Sequence, residues 1–299
     1  MANGFQRIPA PAAAPPRVGL ITSAQTPDLG GARWQDGIVF HPQASLGTDA
    51  LDGGAWWDGC DAGLPAPPYI DPLDAEPGTK TTGPAELADV QYLPWVNVEA
   101  KEAPVTSFSE AEYQAIARQR LVANETTKVE REFWAGEVAQ AGGLPNHYLT
   151  EAATPVLGEY PLAYALARLQ QYLADAIPGR GMVHCSTFTA ALWHSAGMVR
   201  REGNLLLDLA DNLIVPGGGY DGSGPEGQTA AVPQVTEYAY ATGMVQFLHD
   251  DIIFPSTYAE AIDRNRNRVT LRAERLVAAF HDQQAQAAVL VDLTNPCGS

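Results

Sequence analysis

A mixed α+β fold follows from three features of the sequence. A run of helix formers fills 109–135 without Gly or Pro, a leucine stripe marks a second helix over about 161–177, and short apolar, strand-like pieces recur from Gly181 to Leu293. Ahead of them lie about a hundred residues rich in Pro, Gly, Ala and Asp, a composition that a compact core seldom shows.

Up to Pro104 the only apolar runs are short ones such as Gly37-Ile38-Val39-Phe40 and Tyr92-Leu93-Pro94-Trp95-Val96. Pro9–Pro16 and Leu64–Pro77 cannot be helical, because proline lacks an amide donor and restricts the residue before it. These stretches are expected to be extended arms or long loops. Segments with so little core of their own are uncommon unless they are disordered, functional or ordered by packing on another molecule.

The character changes at Thr106-Ser107-Phe108-Ser109-Glu110. Ser107 or Ser109 can cap a helix whose first turn carries Glu110 and Glu112, and Gly136 ends it. Its apolar positions, among them Ala115, Ile116, Leu121, Val122, Val129, Phe133 and Trp134, are interrupted by Asn124-Glu125-Thr126-Thr127. That pattern predicts a helix lying across a sheet with one face partly wet. A loop through Gly142-Gly143-Leu144-Pro145 follows. In the second helix Leu162, Leu166, Leu169, Leu173 and Ile177 share one stripe, and Pro178-Gly179 stops it. Gly181–His184 reads as a strand, Ser186 or Thr187 caps a third helix to about Val199, and Arg200–Asn204 makes a polar turn. Leu205–Leu209 and Asn212–Val215 read as strands, and Pro216–Gly227 as a glycine-rich loop. Val235–Thr242 and Met244–Leu248 are expected to join at Gly243 as a hairpin or bulged strand, the first alternating Tyr238 and Tyr240 with alanines. Strands at Arg268–Ala278 and Ala287–Leu293, separated by a turn at His281–Gln284, finish the chain.

Composition narrows the functions. The 299 residues are 45% hydrophobic, enough for a real core, and 18 Lys+Arg against 35 Asp+Glu leave a formal charge of −17. Such a surface repels polyphosphates and anionic lipid, so sequence-specific nucleic-acid binding is a poor reading. Cys60, Cys185 and Cys297 are odd in number and widely spaced, which argues against a disulfide framework or a zinc knuckle and fits a reducing compartment. The N-terminus lacks the pattern of a secretory signal and no stretch approaches the length of a membrane span; a soluble protein made in the cytoplasm is expected. Asn124-Glu125-Thr126 matches a glycosylation sequon that has no meaning without such a signal.

Chemical motifs are few. Cys185 and His194 could pair as thiolate and imidazolium, but nine residues of helix would hold them about 13 Å apart along the axis. A buried cysteine and a helix-face histidine are the commoner arrangement. Gly217-Gly218-Gly219-Tyr220-Asp221-Gly222 satisfies G-x-G-x-x-G, yet Ser223-Gly224-Pro225 cannot open the helix a dinucleotide needs, so a flexible loop is expected. Ser223 lacks the flanking glycines of a nucleophile elbow. His249-Asp250-Asp251 has no second histidine at helical spacing, and Gly78-Thr79-Lys80-Thr81 is not a phosphate-binding loop. No catalytic residue, metal ligand or cofactor is expected from these motifs.

The second half nevertheless has a recognisable order: a long helix ending in Phe133-Trp134-Ala135-Gly136, the leucine-striped helix, and Gly181-Met182-Val183-His184 running into a helix. Arg201-Glu202-Gly203-Asn204, Leu205-Leu206-Leu207, Asn212-Leu213-Ile214-Val215-Pro216, the glycine-rich loop, the tyrosine strand and Arg272–Phe280 complete it. Over about 106–299 this series resembles the HK97-like major capsid proteins of tailed bacteriophages, particularly those of actinobacteriophages. The resemblance implies an N-terminal arm (1–44), an extended loop region (45–105), and a peripheral domain with a spine helix (106–155). It further implies an axial domain (156–247) and C-terminal strands completing both domains (248–299), the strands near 250–280 lying beside the spine helix.

By the same resemblance the protein is a virion component, made in the host cytoplasm, that assembles with itself into hexamers and pentamers of an icosahedral shell around double-stranded DNA. DNA contact would be non-specific, with no membrane; other partners would be a portal and scaffold or decoration proteins. The chain begins at an arm-like sequence, which implies a separate scaffold or none, and the surroundings of Lys80 do not match a cross-linking lysine. Trp34, Trp56, Trp57 and Trp95 are the expected intersubunit anchors. Gly217, Gly218, Gly219 and Tyr220 would lie toward the ring axis, where glycine lets the backbone adapt to different ring sizes. The alternatives are a minor HK97-fold virion protein, an encapsulin-like shell, and a cysteine hydrolase using Cys185.

Overall fold

The computed structural model describes residues 17–27, 34–40, 90–104, 109–177, 179–233 and 235–294. Trp56, Trp57, Lys80, Cys60 and Cys297 lie outside them. In chain order the elements are α1 (Leu20–Ser23), a 3-10 turn (Trp34–Asp36), β1 (Ile38–Phe40), β2 (Val90–Tyr92), β3 (Trp95–Pro104), α2 (Glu110–Ala135) and α3 (Glu137–Gly142). Then come β4 (Val156–Pro161), α4 (Leu162–Ala176), β5 (Met182–Ser186), α5 (Thr187–Ser195), β6 (Arg200–Glu202), β7 (Leu205–Leu207) and β8 (Leu213–Gly217). β9 (Thr236–Thr242), β10 (Gln246–His249), β11 (Ile262–Asp263), β12 (Arg268–Phe280), a 3-10 turn (Gln283–Ala285) and β13 (Ala287–Asp292) close the list.

Helix α2 forms where its end signals place it. The Ser109 hydroxyl accepts from Glu112 N at 3.4 Å while the Glu112 carboxylate accepts from Ser109 N at 2.7 Å, a reciprocal cap. At the other end Gly136 adopts φ 60°, and a Cβ there would run into the Tyr148 ring.

A seven-stranded mixed sheet, ordered β4-β13-β9-β5-β8-β7-β6, forms the centre. Strand alternation sorts its side chains cleanly. Met182, Val215, Tyr238, Tyr240, Ala288 and Leu290 face a core shared with Phe133 and Trp134 of α2. Val183, Cys185, Ile214, Ala239, Ala241, Val289 and Val291 face the leucine stripe of α4 and Trp193 of α5. The tyrosine–alanine alternation of β9 therefore has a volume reason: alanines admit the close-packed leucines, and tyrosines fill the deeper space under α2.

A second sheet is built on β12, which pairs antiparallel with β3 from Val277↔Trp95 to Arg268↔Pro104, while β10 and β11 hold its two ends. α2 lies across this ribbon, Tyr113 on Val269 and Leu271, Ala117 and Leu121 on Ala273. The placement of the 250–280 strands beside the long helix is as expected.

Four differences have identifiable causes. β9 and β10 are not a hairpin: β9 pairs with β5 and β13, β10 with β12, so 243–245 carry the chain from one sheet to the other. α5 stops at Ser195 rather than Val199, because Gly197 turns left-handed at φ 72° and Met198 N bonds back to Trp193 O at 3.0 Å. Arg200–Glu202 is a strand paired with Leu205–Leu207 around Gly203, not a bare turn. Val156–Pro161, with no expected strand, pairs in parallel with β13.

Candidate assembly surface

α2 keeps one wet face, on which Arg118, Asn124, Thr127 and Arg131 are exposed, but three of its acids do not lie on it. Glu125, Glu130 and Glu132 are all buried, and each carboxylate serves a different segment. Glu125 meets the Arg275 guanidinium of β12 at 2.8 Å. Glu130 Oε1 accepts from Leu20 N at 3.3 Å and Oε2 from Gly219 N at 2.9 Å. Burial pushes the Glu130 carboxyl above its ordinary value, against the pull of the donors from Gly219, Leu20 and Gly218. Glu132 is likewise raised by burial and opposed by the backbone amides of Val138 and Ala139, at 2.5 and 3.0 Å. On the neighbouring face Lys128 binds Glu99 at 2.8 Å and the Val98 carbonyl at 2.6 Å; burial raises the Glu99 carboxyl, but the Lys128 and Asn124 hydrogen bonds outweigh it and leave it lowered. One helix thus ties together the N-terminal segment, both sheets, the glycine loop and α3.

Gly217–Tyr220 is not the free loop expected. Gly217 and Gly219 are buried, Gly218 is exposed, and the segment lies flat on α2. A Cβ at Gly219 would collide with the Thr127 carbonyl, with Glu130 Cβ at 2.7 Å and with Arg131 N at 2.9 Å; at Gly217 it would strike the Tyr220 ring. Close approach, rather than adaptability, is what these two glycines provide. Tyr220 is only 5% exposed, stacked on Trp134 with ring centroids 4.7 Å apart.

Trp95 is also committed within the chain, and Trp34 is half-buried. Trp95 is 8% exposed in the main core, and Trp34 packs beside the cluster of Val90, Tyr92, Leu248, Ala278 and Phe280. Large apolar side chains that do face outward are others: Val39, Val96 and Ile253 around the β3–β12 ribbon, Tyr164 and Phe188 on the first turns of α4 and α5, and Leu209. Sequence reasoning missed them, since size singled out tryptophan while only the three-dimensional packing shows which side chains are left over.

Nothing here supports hydrolysis at Cys185. Its thiol is fully buried, and burial together with the nearby Glu237 carboxylate pushes its pKa far up, which suppresses the thiolate. His194 directs Nδ1 to the Val199 carbonyl at 2.9 Å. Among the described residues no group of three or more His, Cys, Asp and Glu side chains is placed to hold a metal ion, and no helix is long and apolar enough to cross a membrane.

A long helix laid across an antiparallel ribbon, beside a central sheet backed by two helices, is the HK97-like capsid fold of the α+β class. Among solved structures, the chain is similar to the capsid of Ralstonia phage GP4, with TM-score 0.51, 10% identity, and 99% of this chain and 98% of that one covered. It is similar also to the capsid of the native GTA particle, with TM-score 0.50, 10% identity, and 98% and 93% covered. The capsid of the empty GTA particle gives TM-score 0.50, 11% identity, and 98% and 97% covered. No protein-family model and no curated protein matches the sequence.

Proposed function

We propose that this protein is the major capsid subunit of a tailed phage, assembling with itself into hexamers and pentamers of an icosahedral shell around double-stranded DNA. The observation that carries the reading is end-to-end coverage: 98–99% of the chain aligns with 93–98% of chains whose role is to build capsids. In this reading 106–155 with part of 248–299 forms the peripheral domain and 156–247, completed by β13, the axial domain, while 1–44 and 45–105 reach neighbouring subunits. The exposed apolar side chains Val96, Ile253, Tyr164 and Phe188 join Trp34, Trp56, Trp57 and Gly218 as contact positions; Trp95, Tyr220, Gly217 and Gly219 support the subunit from within. Portal, scaffold or decoration proteins are the further partners, DNA contact is non-specific because the chain is strongly acidic, and the protein resides in the virion after synthesis in the host cytoplasm.

Each contact is modest, and many simultaneous ones make the shell durable. The buried Cys185 thiol weighs against the hydrolase alternative. Electron microscopy of the purified protein, alone and with its scaffold, tests the reading: closed particles with five- and six-fold clusters are expected. Monomers and small closed oligomers under every condition would overturn it, and counting copies per particle separates a major from a minor shell component.

A further inference from the structure

Helix α2 packs on the β3–β12 ribbon through a stripe that recurs every fourth residue: Tyr113, Ala117, Leu121, Glu125, Val129 and Phe133, all buried. The facing positions of β12 recur every second residue, as Val269, Leu271, Ala273, Arg275 and Val277. Each row contains a single charged member, and the two meet: Arg275 Nη1 donates to Glu125 Oε2 at 2.8 Å. Strand β3 adds a third polar group at the same level, since Asn97 lies directly opposite Arg275 in the strand register and donates from Nδ2 to Glu125 Oε1 at 3.5 Å. Ala117 and Leu121 meet Ala273 on one side of this layer, and Val129 shares the main core with Trp95 and Val277 on the other.

The three side chains do not satisfy one another. Among the described residues only two buried side-chain polar atoms lack a hydrogen-bond partner, and both are here: Asn97 Oδ1 and Arg275 Nε. Asn97 is 1% exposed, so its oxygen has no bulk solvent to turn to. Its amide cannot be reversed, because a carboxylate only accepts and Glu125 therefore takes the NH2 end. Residues directly opposite on an antiparallel pair hold their Cβ atoms about 4.5–5.5 Å apart, and these two bond to the two oxygens of one carboxylate. An acceptor and a donor are thus left over on paired neighbours.

The chemistry of the gap selects what fits it. A cation is repelled by the Arg275 guanidinium, and an anion by the Glu125 carboxylate and the lone pairs of Asn97 Oδ1. An apolar group would leave both atoms unpaired. Water donates to the oxygen and accepts from the N–H, and buried waters occupy such positions, bonded to two to four polar groups that would otherwise stay unsatisfied.

We propose that one ordered water bridges Asn97 Oδ1 and Arg275 Nε, so that Asn97, Glu125, Arg275 and this water form a closed polar layer fastening α2 to the ribbon. The site belongs to the folded subunit, whatever that subunit assembles into. Arg275 keeps 17% of its side chain exposed, which leaves the layer within reach of solvent from the Arg275 side.

A crystal structure of the wild-type subunit, or a map of the particle, at a resolution that shows ordered solvent tests the site. A solvent peak within about 3.2 Å of both atoms is expected. No peak there, a direct bond from Nε to Oδ1, or another side chain in the gap overturns the proposal. NMR of the arginine-labelled subunit gives a second reading. The Arg275 Nε–H, assigned through bonds, should show cross-relaxation with water of opposite sign in the laboratory and rotating frames, the signature of a held water rather than of proton exchange. Asn97→Leu removes the acceptor and should abolish that signal. An undiminished signal in the folded variant, or none in the wild type, sinks the bridge; if the variant does not fold, the wild-type map decides.

Discussion

Replacing Gly219 by alanine while leaving Gly218 alone distinguishes two accounts of the glycine loop. The new Cβ would lie 2.7 Å from Glu130 Cβ and 2.9 Å from Arg131 N, and closer still to the Thr127 carbonyl. All three atoms belong to the body of α2 and cannot swing aside. The loop must therefore lift, which opens the 2.9 Å bond from Gly219 N to the buried Glu130 carboxylate. Overpacking costs about 1–3 kcal/mol, and the loss of a hydrogen bond to a charged group about 1.5–3 kcal/mol, so about 3–5 kcal/mol in all is expected. At roughly 2–4 °C per kcal/mol for a chain of this size, Tm should fall by about 10 °C. Gly218→Ala is the control: its Cβ meets nothing nearer than Thr127 Oγ1 at 3.9 Å, so its effect should stay within about 0.5 kcal/mol. Thermal unfolding of the two variants, followed by circular dichroism on dissociated subunits, gives the comparison. Equal melting temperatures would refute the close-approach argument, and equal assembly defects in both would restore the view that the glycines serve ring adaptation.

Other outcomes follow from the same geometry. Glu130→Ala orphans the Leu20 and Gly219 amides together, at a cost of about 2–4 kcal/mol, and both should lose protection from exchange in parallel; deprotection of only one would break the link between the N-terminal segment and the loop. With Cys60 and Cys297 replaced by serine, native Cys185 should resist iodoacetamide at pH 8 and react once denatured; rapid native labelling contradicts its burial. Ala191→Pro removes a helical bond inside α5 at a cost of about 3 kcal/mol and should stop particle formation. Particles with normal yield from that variant would show that α5 is dispensable.

How much of this was legible in the sequence depends on how local the signal is. The ends of α2 and α4 were readable, because caps, glycines and a leucine stripe act within a turn or two. Gly197 was equally local and should have ended α5 at Ser195. The buried acids were not readable: Glu125, Glu130 and Glu132 look like solvent residues until Arg275, Leu20, Gly219 and the amides of α3 are brought to them from across the chain. The sheet switch after Thr242 was hidden for a related reason. β9 and β10 are each good strands, and only their partners, β13 and β12, reveal that they belong to different sheets. Among the expected contact positions, Trp95 was singled out by size and Tyr220 by its place in the glycine loop, and both are buried within the chain, since a large aromatic fills an interior as well as an interface.

The position of β13 has a consequence for how the protein can be made. The last described strand does not sit at the rim of the central sheet but between β4 and β9, and β4 has no other strand partner among the described residues. A chain still short of Ala287 leaves β4 detached, uncovers the inner edge of β9 and deprives α4 of the strand it rests on. The sheet can close only once 287–292 have been made, so contacts that lie far apart in sequence must wait for that strand. A chain that stops before β13 therefore cannot complete the central sheet, and the order of strands couples its closure to residues more than a hundred positions after β4.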